Sequence, residues 1–91
     1  MTTNGNALQA IAQVISRETG WNSSIEYPGF IAIPRPDGIW SIGTAGDTWA
    51  GDLTDAEGAV VAGFETEIPC TVIDAELLGR LIAYYIRERA Y

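Results

Sequence analysis

The sequence of 91 residues contains no histidine, no lysine and only one cysteine. Without histidine, the chain can form neither a Ser-His-Asp nor a Cys-His catalytic arrangement, and a histidine-ligated zinc site is excluded too. One cysteine forms no internal disulfide, so stability must come from packing, as is usual in a reducing compartment. We therefore expect a cytoplasmic protein in which Cys70 is a small buried thiol, because the chain offers no base to activate it as a nucleophile.

Long apolar runs are also missing from the chain. The longest are a few residues, far short of the roughly 20 that a membrane-spanning helix needs, and the N-terminus lacks the features of a secretion signal. Yet 47% of the residues are hydrophobic, a composition unlike that of disordered chains. We expect one compact folded domain over residues 1–91 that is neither secreted by that route nor embedded in a membrane.

The net charge of −7 arises in the middle of the chain, because the segment from Pro36 to Gly79 has no basic residue. The rest of the chain holds three acids against five arginines. A one-signed field of this kind repels nucleic acid and anionic membranes and attracts basic protein surfaces. The nine carboxylates of this acidic segment are Asp37, Asp47, Asp52, Asp55, Glu57, Glu65, Glu67, Asp74 and Glu76.

Two helices are predicted, one at each end of the chain. Between Asn4 and Gly20, apolar residues recur at helical spacing, namely Leu8, Ile11, Ala12 and Ile15. The second helix is predicted from about Asp74 to Ala90, with Asp74 as its N-cap. The apolar stripe that is expected to face the core comprises Leu77, Leu78, Leu81, Ile82 and Tyr85.

Between the helices, short β-prone runs alternate with turn residues, which is typical of an antiparallel meander. The runs are Ser24–Tyr27, Phe30–Ile33, Ile39–Thr44, Thr48–Thr54 and Ala59–Glu67. Pro28 and Gly29 interrupt the first two runs, and we expect a bend or bulge there. The predicted fold class is α+β, a four-stranded or five-stranded antiparallel meander with both helices packed on one face (α-β-β-β-β-α).

Alternation along the predicted strands assigns each side chain to one face of the sheet. The core face is expected to comprise Ile31, Ile33, Trp40, Ile42, Trp49, Leu53, Val60, Ala62 and Phe64. The opposite positions on the last two strands are mostly polar or acidic, and they are Thr48, Ala50, Asp52, Thr54, Val61, Gly63, Glu65 and Glu67. The second face is therefore predicted to be exposed to water and acidic.

Some of the acidic residues invite a metal-binding or catalytic interpretation. Asp52, Asp55 and Glu57 resemble a calcium loop, but in the register of an EF-hand Leu53 would occupy the first ligand position. Glycosidase chemistry needs a cleft that keeps one carboxyl protonated, which a two-layer domain of this length rarely provides. We therefore expect no catalytic residue, no cofactor and no metal, and a protein that is not an enzyme.

Small size, an acidic exposed sheet and the lack of catalytic residues make the chain resemble phage-encoded anti-defence proteins, of which the anti-CRISPR proteins are the best-known group. The resemblance lies in size, charge and architecture, and no motif is involved. It implies a monomer or homodimer that binds a CRISPR effector or another nucleic-acid-handling complex in the host cytoplasm and blocks recognition of target DNA. The carboxylates that we expect at a basic partner surface, unless they only confer solubility, are Asp47, Asp52, Asp55, Glu57, Glu65 and Glu67.

A protein–protein interaction module, such as an immunity or assembly protein, is the alternative hypothesis. The predicted C-terminal helix has a stripe that is either a contact surface or an ordinary solvated face, formed by Arg80, Tyr84, Arg87 and Tyr91. A free sheet edge would serve such a module as well. Binding through the acidic face should weaken with salt, whereas binding through the stripe should depend on Tyr84.

Overall fold

The computed structural model describes residues 5–26 and 29–88. Two helices, α1 (Gly5–Thr19) and α2 (Ala75–Glu88), flank the strands β1 (Ser24–Glu26), β2 (Phe30–Arg35), β3 (Gly38–Ala45), β4 (Thr48–Thr54) and β5 (Val60–Pro69). The strands form a single antiparallel sheet in the order β1-β2-β3-β4-β5. The predicted α+β meander is confirmed, with five strands. The predictions for Asn4, Tyr27, Pro28, Ala90 and Tyr91 lie outside the described residues.

Both helices show end signals that the sequence predicts. Gly20 follows α1 with a φ of +78°, and its N–H donates a hydrogen bond of 2.8 Å to the carbonyl oxygen of Ser16. Asp74 precedes α2, and its carboxylate accepts a 3.1 Å hydrogen bond from the N–H of Leu77, as an N-cap does. In the described part of the chain, no helix has the length and apolar character needed to cross a membrane.

The core lies between the two helices and one face of the sheet. On the sheet side of the core, the strand register aligns side chains in two rows across β2 to β5. The first row is Ile31, Ile42, Gly51 and Phe64, and the second row is Ile33, Trp40, Leu53 and Ala62. Gly51 is necessary in the first row, because a Cβ atom there would lie 2.6 Å from Cε1 of Phe64. The helices add buried side chains from above, namely Leu8, Ile11, Ile15, Leu78, Ile82 and Ile86.

The helices pack against each other as well as on the sheet. Gly79 of α2 is buried against Val14 of α1, so the two backbones approach closely. On the β5 side, the ring of Tyr85 stacks on Phe64 with 5.1 Å between the ring centroids. The confirmed arrangement places both helices on one face and leaves the other face open to water.

The edge strand β5 is interrupted by irregular register at two places. Leu53 pairs with Ala62 but Thr54 pairs with Val60, so Val61 is an extra residue in a bulge. Near the other end, the hydroxyl of Thr66 donates a 2.8 Å hydrogen bond to the carbonyl oxygen of Trp49. This side-chain bond satisfies a backbone acceptor where the regular ladder is broken.

Two residues predicted to be buried are exposed, and Leu81, Tyr85 and Cys70 are only partly buried. Val60 was expected in the core but is 59% exposed, because alternation cannot continue through the bulge at Val61. Leu77 was expected on the buried stripe but is 53% exposed, because the buried side of α2 is centred instead on Leu78, Ile82 and Ile86. Cys70 is only partly buried, since it lies in the turn after β5.

Candidate functional site: an acidic sheet face

The face of the sheet that points away from the helices, called the outer face here, is the candidate site. Its centre consists of two cross-strand rows, which are Ser24, Ala32, Ser41, Asp52 and Gly63, and Glu26, Phe30, Gly43, Ala50 and Glu65. The middle strands therefore contribute mainly small side chains to this face. Larger and charged side chains stand around them.

Three of the six carboxylates that the sequence predicts for a partner surface lie together on the outer face. Asp52 pairs with Gly63 and Glu65 pairs with Ala50, so the two acids are diagonal neighbours on adjacent strands. Glu67 follows two residues later and is also exposed. Diagonal neighbours in a sheet are about 7 to 8 Å apart, so Asp52 and Glu65 form a close pair of charges.

The other three predicted carboxylates lie in turns at the ends of the sheet. Asp47 is exposed in the β3–β4 turn, at the same end as Glu67, where its carbonyl oxygen accepts a 2.6 Å hydrogen bond from the N–H of Cys70. Asp55 and Glu57 belong to the β4–β5 turn at the opposite end. The Asp55 carboxylate accepts 2.9 Å hydrogen bonds from the N–H groups of Glu57 and Ala59, so it shapes the turn.

Glu26 is a fourth outer-face carboxylate that the sequence analysis missed. It lies opposite Phe30 in the β1–β2 pair, is exposed, and accepts a 2.9 Å hydrogen bond from the hydroxyl of Ser24. Alternation within the Ser24–Tyr27 run puts Ser24 and Glu26 on one face, but only the pairing with β2 shows which face that is. Outer-face carboxylates thus lie on β1, β4 and β5, with uncharged residues of β2 and β3 between them.

The arginines of the described residues are absent from the centre of the outer face: Arg17, Arg80 and Arg87 lie on the helices, and Arg35 lies at the end of β2. Arg17 forms ion pairs with Glu76 at 2.9 Å and Glu18 at 3.3 Å, and Arg80 pairs with Glu76 at 3.1 Å. Arg87 donates a 3.3 Å hydrogen bond to the carbonyl oxygen of Glu18. Arg35 stacks over the ring of Trp21, which packs against the core, at 3.9 Å from its centroid. Within residues 5–26 and 29–88, no ion pair reaches an outer-face carboxylate.

The ionisation of Glu76 reflects its structural role in the helix layer. Hydrogen bonds from Arg17, together with the positive charges of Arg17 and Arg80, hold the pKa of the Glu76 carboxyl below its ordinary value of 4.5. The same contact raises the pKa of Arg17 above its ordinary value. Glu76 is therefore engaged in holding α1 and α2 together, unlike the carboxylates of the outer face.

A shallow depression of about 230 Å³ lies in the outer face. We call it the outer-face pocket, and the residues that line it include Phe30, Ser41, Gly43, Ala50 and Asp52. It exists because Gly43 and Ala50 hardly rise above the backbone, whereas Phe30 and Asp52 do. The pocket combines an aromatic ring, a hydroxyl group and a carboxylate, which are groups that bind cations.

The described residues of the alternative interface on α2 are exposed. Tyr84 is 54% exposed and contacts Tyr85 edge-on, with 6.0 Å between the ring centroids. Arg80 and Arg87 are exposed as well, although each already contacts an acceptor of the helix layer. Tyr91, the fourth member of this stripe, lies outside the described residues.

The candidate site presents carboxylates as its charged groups. Among the residues that the structure describes, no three His, Cys, Asp or Glu side chains are grouped so that they could hold a metal ion. The outer face presents its carboxylates separately, on strands and turns. Comparison of the chain with protein-family models, with curated proteins and with solved structures gave no match.

Proposed function

We propose that the protein is a non-catalytic acidic inhibitor that binds the basic, nucleic-acid-binding surface of a defence complex, in the manner of an anti-CRISPR protein. The observation that supports this most strongly is the separation of charge between the two layers. Four carboxylates lie on the outer face, whereas three of the four described arginines lie on the helices and the fourth, Arg35, stacks on Trp21 at the end of β2. A one-signed face of this kind attracts a basic partner at long range.

The rigidity of the sheet adds to this attraction. Asp52 and Glu65 project from paired strands in the middle and at the edge of the sheet, so their separation is fixed before binding. Binding through groups that are already positioned loses less conformational entropy than binding through flexible loops. A fixed set of anionic groups can therefore take the place of backbone phosphates against the arginines and lysines of a DNA-binding groove.

An inhibitor that occupies a DNA-binding surface blocks DNA without catalysing any reaction. The proposed partner is a CRISPR effector or another nucleic-acid-handling complex in the cytoplasm of the host, bound at a fixed stoichiometry. Each inhibitor molecule would cover basic residues that otherwise contact phosphates, so inhibition and DNA binding would be mutually exclusive.

The test compares two doubly substituted proteins that lose the same charge. Asp52→Asn with Glu65→Gln neutralises the outer face, whereas Asp37→Asn with Glu88→Gln neutralises two exposed acids elsewhere. DNA binding by purified CRISPR effector complexes is measured while each protein is titrated in. We expect the half-inhibitory concentration to rise at least about tenfold for the first protein and little for the second, because close charge pairs at interfaces contribute several kcal/mol.

Salt provides the second part of this test. Inhibition by the unsubstituted protein should weaken between low and physiological ionic strength, because screening reduces attraction between exposed charges. Inhibition that does not change with salt, or that responds equally to both double substitutions, would show that the outer face is not a phosphate mimic. If no effector complex is inhibited at all, the partner is sought by pull-down from host lysate, and recovery of only metabolic enzymes would count against the proposal.

A second candidate function is a protein–protein module that binds through α2. Leu77 and Tyr84 lie seven residues apart on one side of the helix and are 53% and 54% exposed. Exposed tyrosine and leucine beside arginine resemble the composition of an interface core. In that case Tyr84→Ala would weaken binding and Asp52→Asn with Glu65→Gln would not.

A further inference from the structure

We infer that the outer-face pocket receives the side chain of an arginine from the partner protein. The planar guanidinium would lie on the floor formed by Gly43 and Ala50, against Phe30 and next to Asp52. The inference rests on the proposed function, since it specifies which chemical group of a basic partner the outer face recognises.

Gly43 is the residue that points to a bound group. Its φ lies outside the left-handed region, and a Cβ atom there would meet Phe30 Cβ at 3.5 Å, which is an ordinary contact. Neither the backbone nor the packing therefore requires glycine, in contrast to Gly51 on the same strand pair. Glycine weakens the interior of a strand, and it is typical of places where another group approaches the backbone closely.

The size of the pocket suits one side chain. Its volume is about 230 Å³, below the range of roughly 300 to 1,000 Å³ that is usual for small-molecule ligands. The floor is also flat, because Gly43 and Ala50 are paired residues of adjacent strands. A flat group can contact both of them at once.

The chemistry of the walls favours arginine over lysine. A guanidinium group can stack on the ring of Phe30 and at the same time donate hydrogen bonds to the Asp52 carboxylate and the Ser41 hydroxyl. Ser41 and Asp52 are paired residues, so both acceptors are on the same side of the pocket. An ammonium group is a compact, strongly hydrated charge and gains less from a flat floor and an aromatic ring.

The experiment uses the full chain with two probes, an arginine decapeptide and a lysine decapeptide of equal charge, and measures both affinities by calorimetry. We expect the arginine peptide to bind at least about fivefold more tightly. Gly43→Val fills the pocket without changing charge, and it should reduce the affinity for the arginine peptide to that for the lysine peptide. Thr54→Val is the control, because it replaces a hydroxyl with a methyl group on the outer face beyond the pocket, again without a change of charge, and should leave both affinities unchanged.

Folding of the Gly43 variant is checked by thermal melting. Because valine is β-branched and favours strands, Gly43→Val should keep or raise the melting temperature. Gly43→Ala is the second variant, and it should lower the affinity for the arginine peptide by less than Gly43→Val does. Equal affinities for the two peptides, unaffected by Gly43→Val, would refute the arginine pocket. The proposed function would still stand in that case if Asp52→Asn with Glu65→Gln weakened binding of both peptides and inhibition of the effector. If that double substitution changed neither, the pocket and the proposed function would both be refuted.

Discussion

Single glycines decide how closely the layers of this protein approach each other. At Gly79 in α2, an added Cβ would lie 2.5 Å from Cβ of Val14 in α1 and 3.3 Å from the carbonyl oxygen of Ile11. Atoms that are not bonded do not come so close, so the helices could not keep their present separation around a larger residue. Gly79 is therefore a packing requirement, although glycine disfavours a helix.

We predict that Gly79→Ala lowers the free energy of unfolding by up to about 2 kcal/mol. Overpacking of a core typically costs about 1 to 3 kcal/mol, and the gain of about 1 kcal/mol that alanine brings to a helix interior offsets part of this cost. Urea denaturation measures the change, with Gln13→Ala on the exposed side of α1 as the control. The double substitution Val14→Ala with Gly79→Ala should destabilise less than the sum of the single ones, and strict additivity would show that no clash occurs.

At the level of single residues, the sequence predicts which acids lie on the outer face better than it predicts the role of the glycines there. Alternation places Asp52 and Glu65 on one face, as the strand register does, because both lie where β4 and β5 pair regularly. It could not find the pocket, since the alignment of Gly43 with Ala50 depends on register between strands. Nor could it find the hydrogen bonds that engage the Asp55 carboxylate in its turn, because they depend on the exact backbone path.

The two helices are held together by an ion pair at their surface as well as by contacts in the core. Arg17 on α1 reaches Glu76 on the first turn of α2 through two hydrogen bonds of 3.0 and 2.9 Å. Because both side chains are exposed, this contact is a modest contributor to stability. Its effect should nevertheless depend on pH.

We predict that Glu76→Gln lowers the melting temperature near neutral pH and has less effect in acid. The folded-state pKa of Glu76 is below its unfolded value of 4.5, so its contribution is present above pH 4.5 and is lost as the pH falls through the folded-state pKa. Thermal melts of both proteins between about pH 2 and about pH 7 measure the difference. Glu88→Gln is the control, and a difference that stayed constant over this range would contradict the prediction.

Element order, both helices and the meander could be predicted because caps, turns and periodicity are local signals. Leu77 was wrongly assigned to the core because the α2 sequence is apolar on two adjoining sides, and only contact with α1 selects the side containing Gly79 and Ala83. Val60 was wrong because a bulge of one residue is not visible in a run of small apolar residues. Both errors concern relations between elements, which a single sequence does not contain.

Across the whole molecule, charge follows the two-layer architecture. The carboxylates of the outer face repel one another, whereas two acids of the helix layer, Glu18 and Glu76, are paired with arginines. The carboxylates that we propose attract a partner are thus unfavourable to the isolated fold. Function and stability should then respond to salt in opposite directions.

We predict that the melting temperature rises by about 2 °C between about 10 mM and 150 mM salt, because the screening length falls from about 30 Å to about 8 Å. The rise should be smaller for Asp52→Asn with Glu65→Gln than for the control pair Asp37→Asn with Glu88→Gln. Differential scanning calorimetry at each salt concentration checks this. A melting temperature that falls with salt would mean that ion pairs of the helix layer dominate the electrostatics.

The edges of the sheet have a consequence for the behaviour of the protein at high concentration. β1 contains only three residues, and β5 departs from regular pairing at two places along its length. Neither edge therefore offers a long straight row of free N–H and C=O groups on which a further strand could align. Chains of this protein should therefore resist stacking into fibres and remain dispersed at high concentration.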